Sequence, residues 1–259
     1  GVSISDYCSN ATDTLSSNYP SGQKIAYVFR KSMVESVQFR GLLRSSSTAY
    51  ANWASGRLPY LMEAKIKNSN TFQGFQESLY LIGLHGKAGD TEQDYLRRKA
   101  AAKELKDTLD QQFSKANVMI IGDYNDDLDE TISKGTASRL SSYDDLVKDS
   151  IDADRYVALS LPLSRAKYNS VIGYQDVVDH VMTDRKSLYE LLDENLKSKM
   201  SFEVLDTEFS KLSLSNLVFS GFIYTDTLMS FGFDNSKNRL LIVISPLSEK
   251  DEILGIEIK

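Results

Sequence analysis

The sequence predicts an α/β fold in which an amphipathic helix covers a β-sheet. Residues 79–85 and 117–122 are apolar runs that barely alternate, as expected of strands buried on both faces. Between them, residues 91–113 repeat apolar side chains at helical spacing among many charges, without glycine or proline. The predicted apolar face consists of Tyr95, Leu96, Ala100, Leu105, Leu109 and Phe113. A helix between two buried strands is typical of a strand–helix–strand unit, in which the helix packs across the sheet.

Shorter runs extend this pattern on both sides. Strands are predicted at residues 25–29, 34–39, 58–66 and 177–183, and short helices at residues 143–147 and 187–196. The first two of these strands are expected to form a hairpin-like pair, and Pro59 opens the third.

One large domain is expected, preceded by a loop and followed by a β-rich tail. Residues 1–22 are rich in Ser, Asn, Thr and Asp and lack periodicity, which predicts a surface loop. Residues 23–196 carry the predicted domain. Residues 197–259 are expected to pack on that domain. They contain β-prone runs at 217–224, 228–233 and 240–245, with a turn at 234–238.

The composition is that of a globular protein without an overall basic charge. The 259 residues include 30 Lys plus Arg and 36 Asp plus Glu, a net charge of -6, so no basic field attracts nucleic acid. No apolar run approaches the roughly 20 residues that span a bilayer, so no membrane span is expected. Cys8 is the single cysteine, so cysteine usage leaves the compartment open. The start at Gly1 is typical of a processed end, which leaves targeting open. The location is therefore unknown, with a secreted or periplasmic one slightly favoured.

Polar side chains follow the second buried strand, where a site at the sheet edge is expected. Asp123 and Asn125 are two residues apart and point the same way. Phosphodiester hydrolysis needs a carboxylate that holds or deprotonates water, and neutral donors that hold the phosphate. Asp123 and Asn125 suit these two tasks. An isolated motif this short is also typical of a solvated acidic turn.

Other candidates depend on their positions in the predicted strands. His85 ends the first buried strand, where a histidine is as often an edge group as a catalytic one. Asp179 falls within a β-run, and an unpaired buried carboxylate is costly, so a partner is expected for it. His180 faces the opposite side of that strand and is assigned to the structure. Arg57 precedes a strand, where a guanidinium binds a phosphate bidentately or forms a surface ion pair.

Several motifs occur in a distinctive order along residues 23–184. They are YVFRK (27–31), GRLP (56–59), LH (84–85), MIIGDYN (119–125) and VDH (178–180), with the predicted helix before MIIGDYN. In this order and approximate spacing they resemble the endonuclease/exonuclease/phosphatase family, to which pancreatic deoxyribonuclease belongs. The Gly-Asp-[Phe/Tyr]-Asn signature is moderately specific, and the ordered set is much more so.

The resemblance implies a four-layer sandwich of two packed β-sheets flanked by helices, and a role for each candidate residue. His85 would contact the scissile phosphate and act as general acid. Asp123 would orient water or the histidine, and Asn125 would bind phosphate. Asp179 would support a site histidine, and Arg57 would contact the phosphate side.

The resemblance also implies a cofactor and a substrate class. The cofactor would be a divalent metal, Mg or Mn, whose ligands in this chain are unknown. The substrate would be a phosphate ester, either nucleic acid or a small phosphodiester. Lys87 and Tyr124 would be neighbours of the site. The oligomeric state is left open.

Two parts of the family pattern have no counterpart here. The family begins with strands bearing an Asn and then the Glu that holds the metal, but only residues 1–22 precede the first matched strand. The family's closing Ser-Asp-His triplet supplies a general base, but no histidine follows His180. The sandwich is therefore expected to be incomplete or diverged at both ends, with weakened activity, because positioning and water activation depend on these groups.

Two functions remain open on the sequence. The first is a metal-dependent phosphodiesterase, supported by the ordered motifs. The second is a non-catalytic binding or structural module that retains the fold, supported by the missing Glu and the missing late histidine. The sequence fits a fragment of a longer enzyme, a diverged domain whose tail rebuilds the lost strands, or a fold that has lost its chemistry.

Overall fold

A six-stranded mixed β-sheet forms the centre of the protein in the computed structural model. The structure describes residues 1–67, 78–151, 155–171 and 175–184, and the backbone of residues 222–224, 227–234, 239–246 and 256–257. In chain order the main elements are β1 (Val2–Ile4), β2 (Ala26–Val28), β3 (Val34–Gly41), α1 (Ser47–Asn52), β4 (Tyr60–Ile66), β5 (Leu79–His85), α2 (Glu92–Gln112), β6 (Asn117–Asp123), α3 (Asp144–Ile151), β7 (Tyr156–Ala158), α4 (Leu161–Arg165) and β8 (Asp179–Asp184).

The central sheet has the strand order β3-β4-β5-β6-β8-β7. Strands β5 and β6 are parallel, and the other neighbours in this order are antiparallel. A parallel pair needs a crossover connection, and α2 supplies it. The predicted central strands and the predicted helix between two of them are therefore confirmed, with β8 beginning at Asp179 rather than at Val177.

Helix α2 covers one face of the sheet, and local sequence determines where it begins. The Thr91 hydroxyl accepts a hydrogen bond from the Asp94 N–H at 3.2 Å, and the Asp94 carboxylate accepts one from the Thr91 N–H at 3.4 Å. This reciprocal cap satisfies two donors that the first turn leaves open. Just beyond the helix, the ring of Phe113 packs on Tyr80 of β5.

The buried stripe of α2 differs from the predicted one. Leu96 and Ala100, expected on the apolar face, are exposed. Starting from Tyr95, steps of three and four residues lead through Arg98 and on to Leu105, and all three are buried. A charged residue therefore lies on the buried face of the helix.

A two-stranded antiparallel sheet, β1 with β2, covers the opposite face of the central sheet. Tyr27 of β2 points inward, and its hydroxyl lies 2.9 Å from the Tyr60 carbonyl oxygen and 2.8 Å from that of Leu81. The same hydroxyl accepts a hydrogen bond from the Gly83 N–H at 2.5 Å. Phe39 stacks against Tyr60 in the same layer. Up to β8, the described chain is thus a sandwich of two β-sheets with a helix on its outer face, in agreement with the predicted fold class.

Two expectations for the N-terminal segment are wrong. Strand β2 forms no hairpin with β3, because β2 pairs with β1 and β3 pairs with β4. A short 3-10 helix at Lys31–Met33 separates β2 from β3, and the contacts of Tyr27 hold β2 over the sheet instead. Residues 1–22 are not wholly a surface loop, because they include β1 and the buried Tyr7 and Cys8.

Several short elements of the structure were not predicted from the sequence. The predicted helix at residues 143–147 is observed as α3, but α1, β7 and α4 were not predicted. These three elements have 6, 3 and 5 residues, which is too few for periodicity to be distinguished. No helix in the described part of the chain is long and apolar enough to cross a membrane.

The described strands of the tail pair with one another in a separate antiparallel sheet. They are β9 (Phe222–Tyr224), β10 (Thr227–Asp234), β11 (Arg239–Pro246) and β12 (Ile256–Glu257), in the order β12-β11-β10-β9. The helix expected at residues 187–196 and most of the turn expected at 234–238 lie outside the described residues. The packing of the tail on the main domain stays a prediction.

The backbone enters the candidate site through Gly122, where only glycine fits. Its φ of 140° lies in a region that L side chains rarely adopt. A Cβ atom there would also collide with the backbone carbonyl of Leu84 in the neighbouring strand. Glycine therefore allows β5 and β6 to stay paired up to the end of the sheet.

We expect Gly122→Ala to be strongly destabilising, because it adds a backbone collision to a conformational strain of about 1–3 kcal/mol. Gly135→Ala is the matched control, since Gly135 also has a positive φ, 73°, but nothing lies within 4 Å of the added Cβ. Urea unfolding should give a clearly larger loss of unfolding free energy at Gly122. Equal losses for the two variants would show that the collision is relieved.

Candidate active site

The candidate active site is a row of side chains across three neighbouring strands. His85, the last residue of β5, lies opposite Asp123, the last residue of β6. Asp123 in turn lies opposite Asp179, the first residue of β8. Residues directly opposed on paired strands share one face of a sheet. For this row, the shared face is the one covered by the β1–β2 sheet. Gly83 of β5 faces Tyr27 of β2, and His85, two residues further along the same strand, points to the same side.

His85 and Asp123 form a close, partly buried pair of side chains. The distance from Nε2 of His85 to Oδ2 of Asp123 is 3.2 Å. Burial, together with the Arg57 cation, lowers the pKa of His85 to about 3. Burial, together with the Asp179 carboxylate, raises the pKa of Asp123 to about 7. At neutral pH the imidazole of His85 is therefore uncharged, and the carboxyl group of Asp123 is about half protonated. The contact is thus not a full ion pair.

Asn125 turns back toward the row because its backbone is left-handed, with a φ of 52°. Asn is one of the residues that tolerates this conformation. Its N–H donates to Oδ1 of Asp123 at 2.8 Å, and its side-chain Nδ2 lies 3.4 Å from the Gly86 carbonyl oxygen. The loop after β6 is thus folded onto the end of its own strand.

Arg57 lies behind the turn that follows His85 and is buried. Its Nε donates to the His85 carbonyl oxygen at 3.1 Å, and one terminal nitrogen donates to that of Gly86 at 2.7 Å. The other terminal nitrogen contacts Oε1 of Gln23. In this arrangement the guanidinium supports the backbone of the site. Contact between Arg57 and a phosphate stays a prediction.

Asp179 is buried at the start of β8. The Ser170 hydroxyl accepts hydrogen bonds from the N–H groups of Val178 at 2.9 Å and Asp179 at 3.1 Å. These bonds determine where the chain enters the strand. The charge of the Asp179 carboxylate acts on Asp123, as the raised pKa of Asp123 records.

His180 lies on the other face of β8 and is fully buried. Its Nε2 is 3.0 Å from the Asp126 carbonyl oxygen and 2.9 Å from that of Val177, and its Nδ1 is 2.8 Å from the Ser160 hydroxyl. Because carbonyl oxygens only accept, Nε2 carries the proton and Nδ1 accepts from Ser160. Burial lowers the pKa of His180 to about 3, so it stays neutral.

The two residues expected beside the site point away from it. Lys87 forms an ion pair of 2.8 Å with Asp94 at the start of α2. Tyr124 is fully buried, and its hydroxyl donates to the Ile120 carbonyl oxygen at 3.2 Å. Its ring packs on His180. Both residues thus fill the space around the row rather than enter it.

The oxygen donors of the site suit a hard cation, but they are few. Among the described residues, no group of three or more His, Cys, Asp or Glu side chains could hold a metal ion. Asp123 and Asp179 do bring two carboxylates to adjacent strand ends. A magnesium ion is commonly held by one or two protein carboxylates, with waters and substrate phosphate completing its shell. The donor set therefore fits such a site without completing it.

Sequence reasoning missed Arg98 and Asp126, which lie just outside the row and are fully buried. Asp126 follows Asn125 directly, and from the sequence it would be expected to be a solvated loop residue. Arg98 reads as one of many helix charges. Its spacing of three residues from Tyr95 and from Ala101 was the available signal that it lies on the buried face.

Comparison with known proteins finds likeness in structure alone. No protein-family model and no curated protein matches the chain. A functionally unknown conserved protein from Enterococcus faecalis V583 overlays with a TM-score of 0.42 at 9% identity, over 71% of this chain and 64% of that one. The human Nocturnin catalytic domain with bound sulfate gives 0.40 at 12%, over 71% and 60%. An endonuclease/exonuclease/phosphatase from Bacteroides vulgatus gives 0.40 at 11%, over 71% and 64%.

The chain thus spans 60% to 64% of the length of these solved structures. Structures of endonuclease/exonuclease/phosphatase proteins are among those matched. At these scores and identities the overlays do not assign an activity or a substrate.

We expect the stabilising effect of His180 to weaken as the pH falls. His180 has a pKa of about 3 in the folded protein but an ordinary value of 6.5 when exposed. Between these values the unfolded chain binds one more proton. The contribution of His180 is complete above pH 6.5 and declines by about 1.4 kcal/mol per pH unit toward pH 3.

Urea unfolding of the wild type and of His180→Gln, from about pH 7 to about pH 4, checks this expectation. The wild type should be the more stable protein at neutral pH, and the difference in unfolding free energy should shrink with acidification. His85 and Asp123 shift in opposite directions, so their effects largely offset each other in both proteins. A difference independent of pH would mean that His180 has the same pKa in the folded protein as in the unfolded chain.

Proposed function

We propose that this protein is a metal-dependent phosphodiesterase of the endonuclease/exonuclease/phosphatase type. The observation that carries the proposal is the 3.2 Å contact between His85 and Asp123 at the ends of adjacent strands. A partly exposed imidazole next to a carboxyl group that titrates near neutral pH is suited to holding and transferring a proton. The ordered motifs that contain both residues support the same reaction.

His85 and Asp123 share the proton transfer in this proposal. Asp123 orients the imidazole through Oδ2, while the Asn125 N–H holds Oδ1 in place. An anionic phosphate bound next to His85 favours the protonated imidazole and so raises its pKa from about 3. His85 then gives this proton to the leaving oxygen. Substrate binding itself would thus prepare the general acid.

The remaining residues bind and position the substrate. The side-chain amide of Asn125 would donate a hydrogen bond to a phosphate oxygen. To do so it would give up its long contact, 3.4 Å, with the Gly86 carbonyl oxygen. Asp179 supports the pair from the neighbouring strand. Arg57 places a positive charge behind the site, which favours an anionic substrate even where its hydrogen bonds go to the backbone.

A divalent metal, Mg or Mn, is part of the proposal. Asp123 and Asp179 are the described residues that would hold it, because they present carboxylate oxygens at adjacent strand ends. Burial and, after it, the charge of Asp179 raise the pKa of Asp123, and a cation between the two carboxylates would offset their repulsion. When bound, the metal would neutralise phosphate charge and activate a water.

The substrate class is a phosphate ester, either nucleic acid or a small phosphodiester. The net charge of -6 disfavours tight, sequence-independent binding to long nucleic acids, since that binding depends on clustered cations. A small or local phosphodiester therefore fits the charge of the protein better. Slow turnover is expected, because the late histidine of the family pattern has no counterpart.

A second candidate function is a binding or structural module that keeps the fold without hydrolysis. The observation that favours it is the histidine content, since His85 and His180 are the two histidines of the chain. The ring nitrogens of His180 are bonded to Ser160 and to backbone carbonyls on the opposite face. His180 is therefore not placed to act as general base beside His85.

We expect the purified protein to hydrolyse bis(p-nitrophenyl) phosphate slowly with Mg or Mn and not with EDTA. His85→Ala and Asp123→Ala should each lower the rate by about a hundredfold or more, because each removes a group of the proton transfer. Asp107→Ala is the control, since this carboxylate lies exposed on α2 and pairs with Lys103. It should keep the wild-type rate.

Inactivity of the folded wild type with either metal would overturn the phosphodiesterase proposal and favour the binding module. Retained activity in both His85→Ala and Asp123→Ala would instead locate the reaction elsewhere in the chain. A turnover of roughly 1–1000 per second would show that other residues replace the missing family groups.

Metal binding should be measurable without turnover. A cation that binds the folded state alone stabilises it, by about 2.7 kcal/mol at a hundredfold excess over its Kd. Mg or Mn should therefore raise the melting temperature of the wild type. Asp123→Asn and Asp179→Asn should each lose this rise, whereas Asp107→Asn should keep it. An undiminished rise in both site variants would exclude these carboxylates as the ligands.

A further inference from the structure

Arg98 is a fully buried arginine that contacts two separate loops. One terminal nitrogen donates to the carbonyl oxygens of Lys87, at 2.8 Å, and Gly89, at 2.7 Å. The other donates to the Ser133 hydroxyl at 2.6 Å. The first loop, residues 86–91, follows His85, and the second loop, residues 124–143, contains Asn125. One side chain thus connects the loop that follows His85 with the loop that contains Asn125.

The charge of Arg98 is balanced within the second loop. Its Nε lies 3.7 Å from Oδ2 of Asp126, which is also fully buried. The Asp126 carboxylate accepts hydrogen bonds from the N–H groups of Ile132 and Ser142, both at 2.8 Å. A buried ion pair tolerates few geometries, because each charge must keep its partners. The loop is therefore closed around Asp126, with Arg98 next to it.

These contacts lie very near the reacting groups. Lys87, whose carbonyl accepts from Arg98, is two residues after His85 along the chain, and Asp126 directly follows Asn125. A second link between the loops is the hydrogen bond of 2.6 Å from the Lys134 N–H to the Asp90 carbonyl, whose side chains form an exposed ion pair. Arg98 differs from this link in being wholly shielded from water.

We propose that Arg98 is a positioning residue for the phosphodiesterase site, holding the loop after His85 and the loop after Asn125 in one fixed relation. The proposal rests on the proposed function. Arg98 has no contact with substrate in this role. Its planar group serves two carbonyls and a hydroxyl in separate directions, and a lysine ammonium at the same place keeps the charge but not that geometry. A small displacement of His85 relative to Asn125 is enough to slow the reaction.

The test compares Arg98→Lys and Ser133→Ala with Leu105→Ala. Ser133→Ala removes one hydrogen bond and leaves the ion pair, so it keeps the test open if Arg98→Lys does not fold. Leu105→Ala is the control for a loss of stability, because Leu105 is buried on the same helix two turns further along. Each protein is assayed with bis(p-nitrophenyl) phosphate and Mn at a temperature where unfolding curves show it folded.

In Arg98→Lys we expect kcat to fall about ten- to a hundredfold with KM little changed, and in Ser133→Ala to fall less. Leu105→Ala should lower the melting temperature and leave kcat unchanged. Wild-type kcat in both loop variants would overturn the proposal. An equal fall of kcat in Leu105→Ala would also overturn it, since the effect would then follow stability alone.

The imidazole NMR signals give a readout that does not need turnover. The chain has two histidines, so both signals can be assigned with His180→Gln. The signal of His85 should move in Arg98→Lys and Ser133→Ala and stay in place in Leu105→Ala. If the wild type hydrolyses nothing, the proposed function fails and this signal decides the role of Arg98. A moved signal then supports positioning of His85, and an unmoved one overturns it.

Discussion

The register of β6 between its two neighbours is the constraint on which the candidate site depends. Strand β6 is parallel to β5 and antiparallel to β8, so its carboxyl end meets the carboxyl end of one and the amino end of the other. His85, Asp123 and Asp179 occupy that level. A slip of one residue in either pairing would turn a member of the row to the face covered by α2. Gly122 permits this register, because any larger residue would press on β5.

Close placement of these groups determines their protonation. Burial and Arg57 keep the imidazole of His85 neutral, while burial and Asp179 raise the pKa of Asp123 to about 7. The row is therefore sensitive to any charge that enters it. An anion favours protonation of His85, and a cation favours ionisation of Asp123. Both changes are those that hydrolysis of a phosphodiester would require.

Two buried arginines hold the loops that follow β5 and β6. Arg57 donates to the carbonyls that follow β5, and Arg98 joins that same segment to the loop after β6. Loops that carry functional groups need such support, because their own backbone makes few regular hydrogen bonds.

The sequence alone was enough to identify the central strands, helix α2 and the residues that end the strands. Long apolar runs and helical periodicity are local properties, and a polar motif after a buried strand marks a sheet edge. Patterns could not show that β2 joins β1 rather than β3. The spacing of Arg98 allowed a place on the buried face of α2, but no sequence pattern favoured a charged residue there over Leu96. These outcomes depend on partners distant along the chain, such as the carbonyls that Tyr27 and Arg98 reach. The protonation of His85 and Asp123 was decided in the same way, because burial and neighbouring charges arise only when the strands pair.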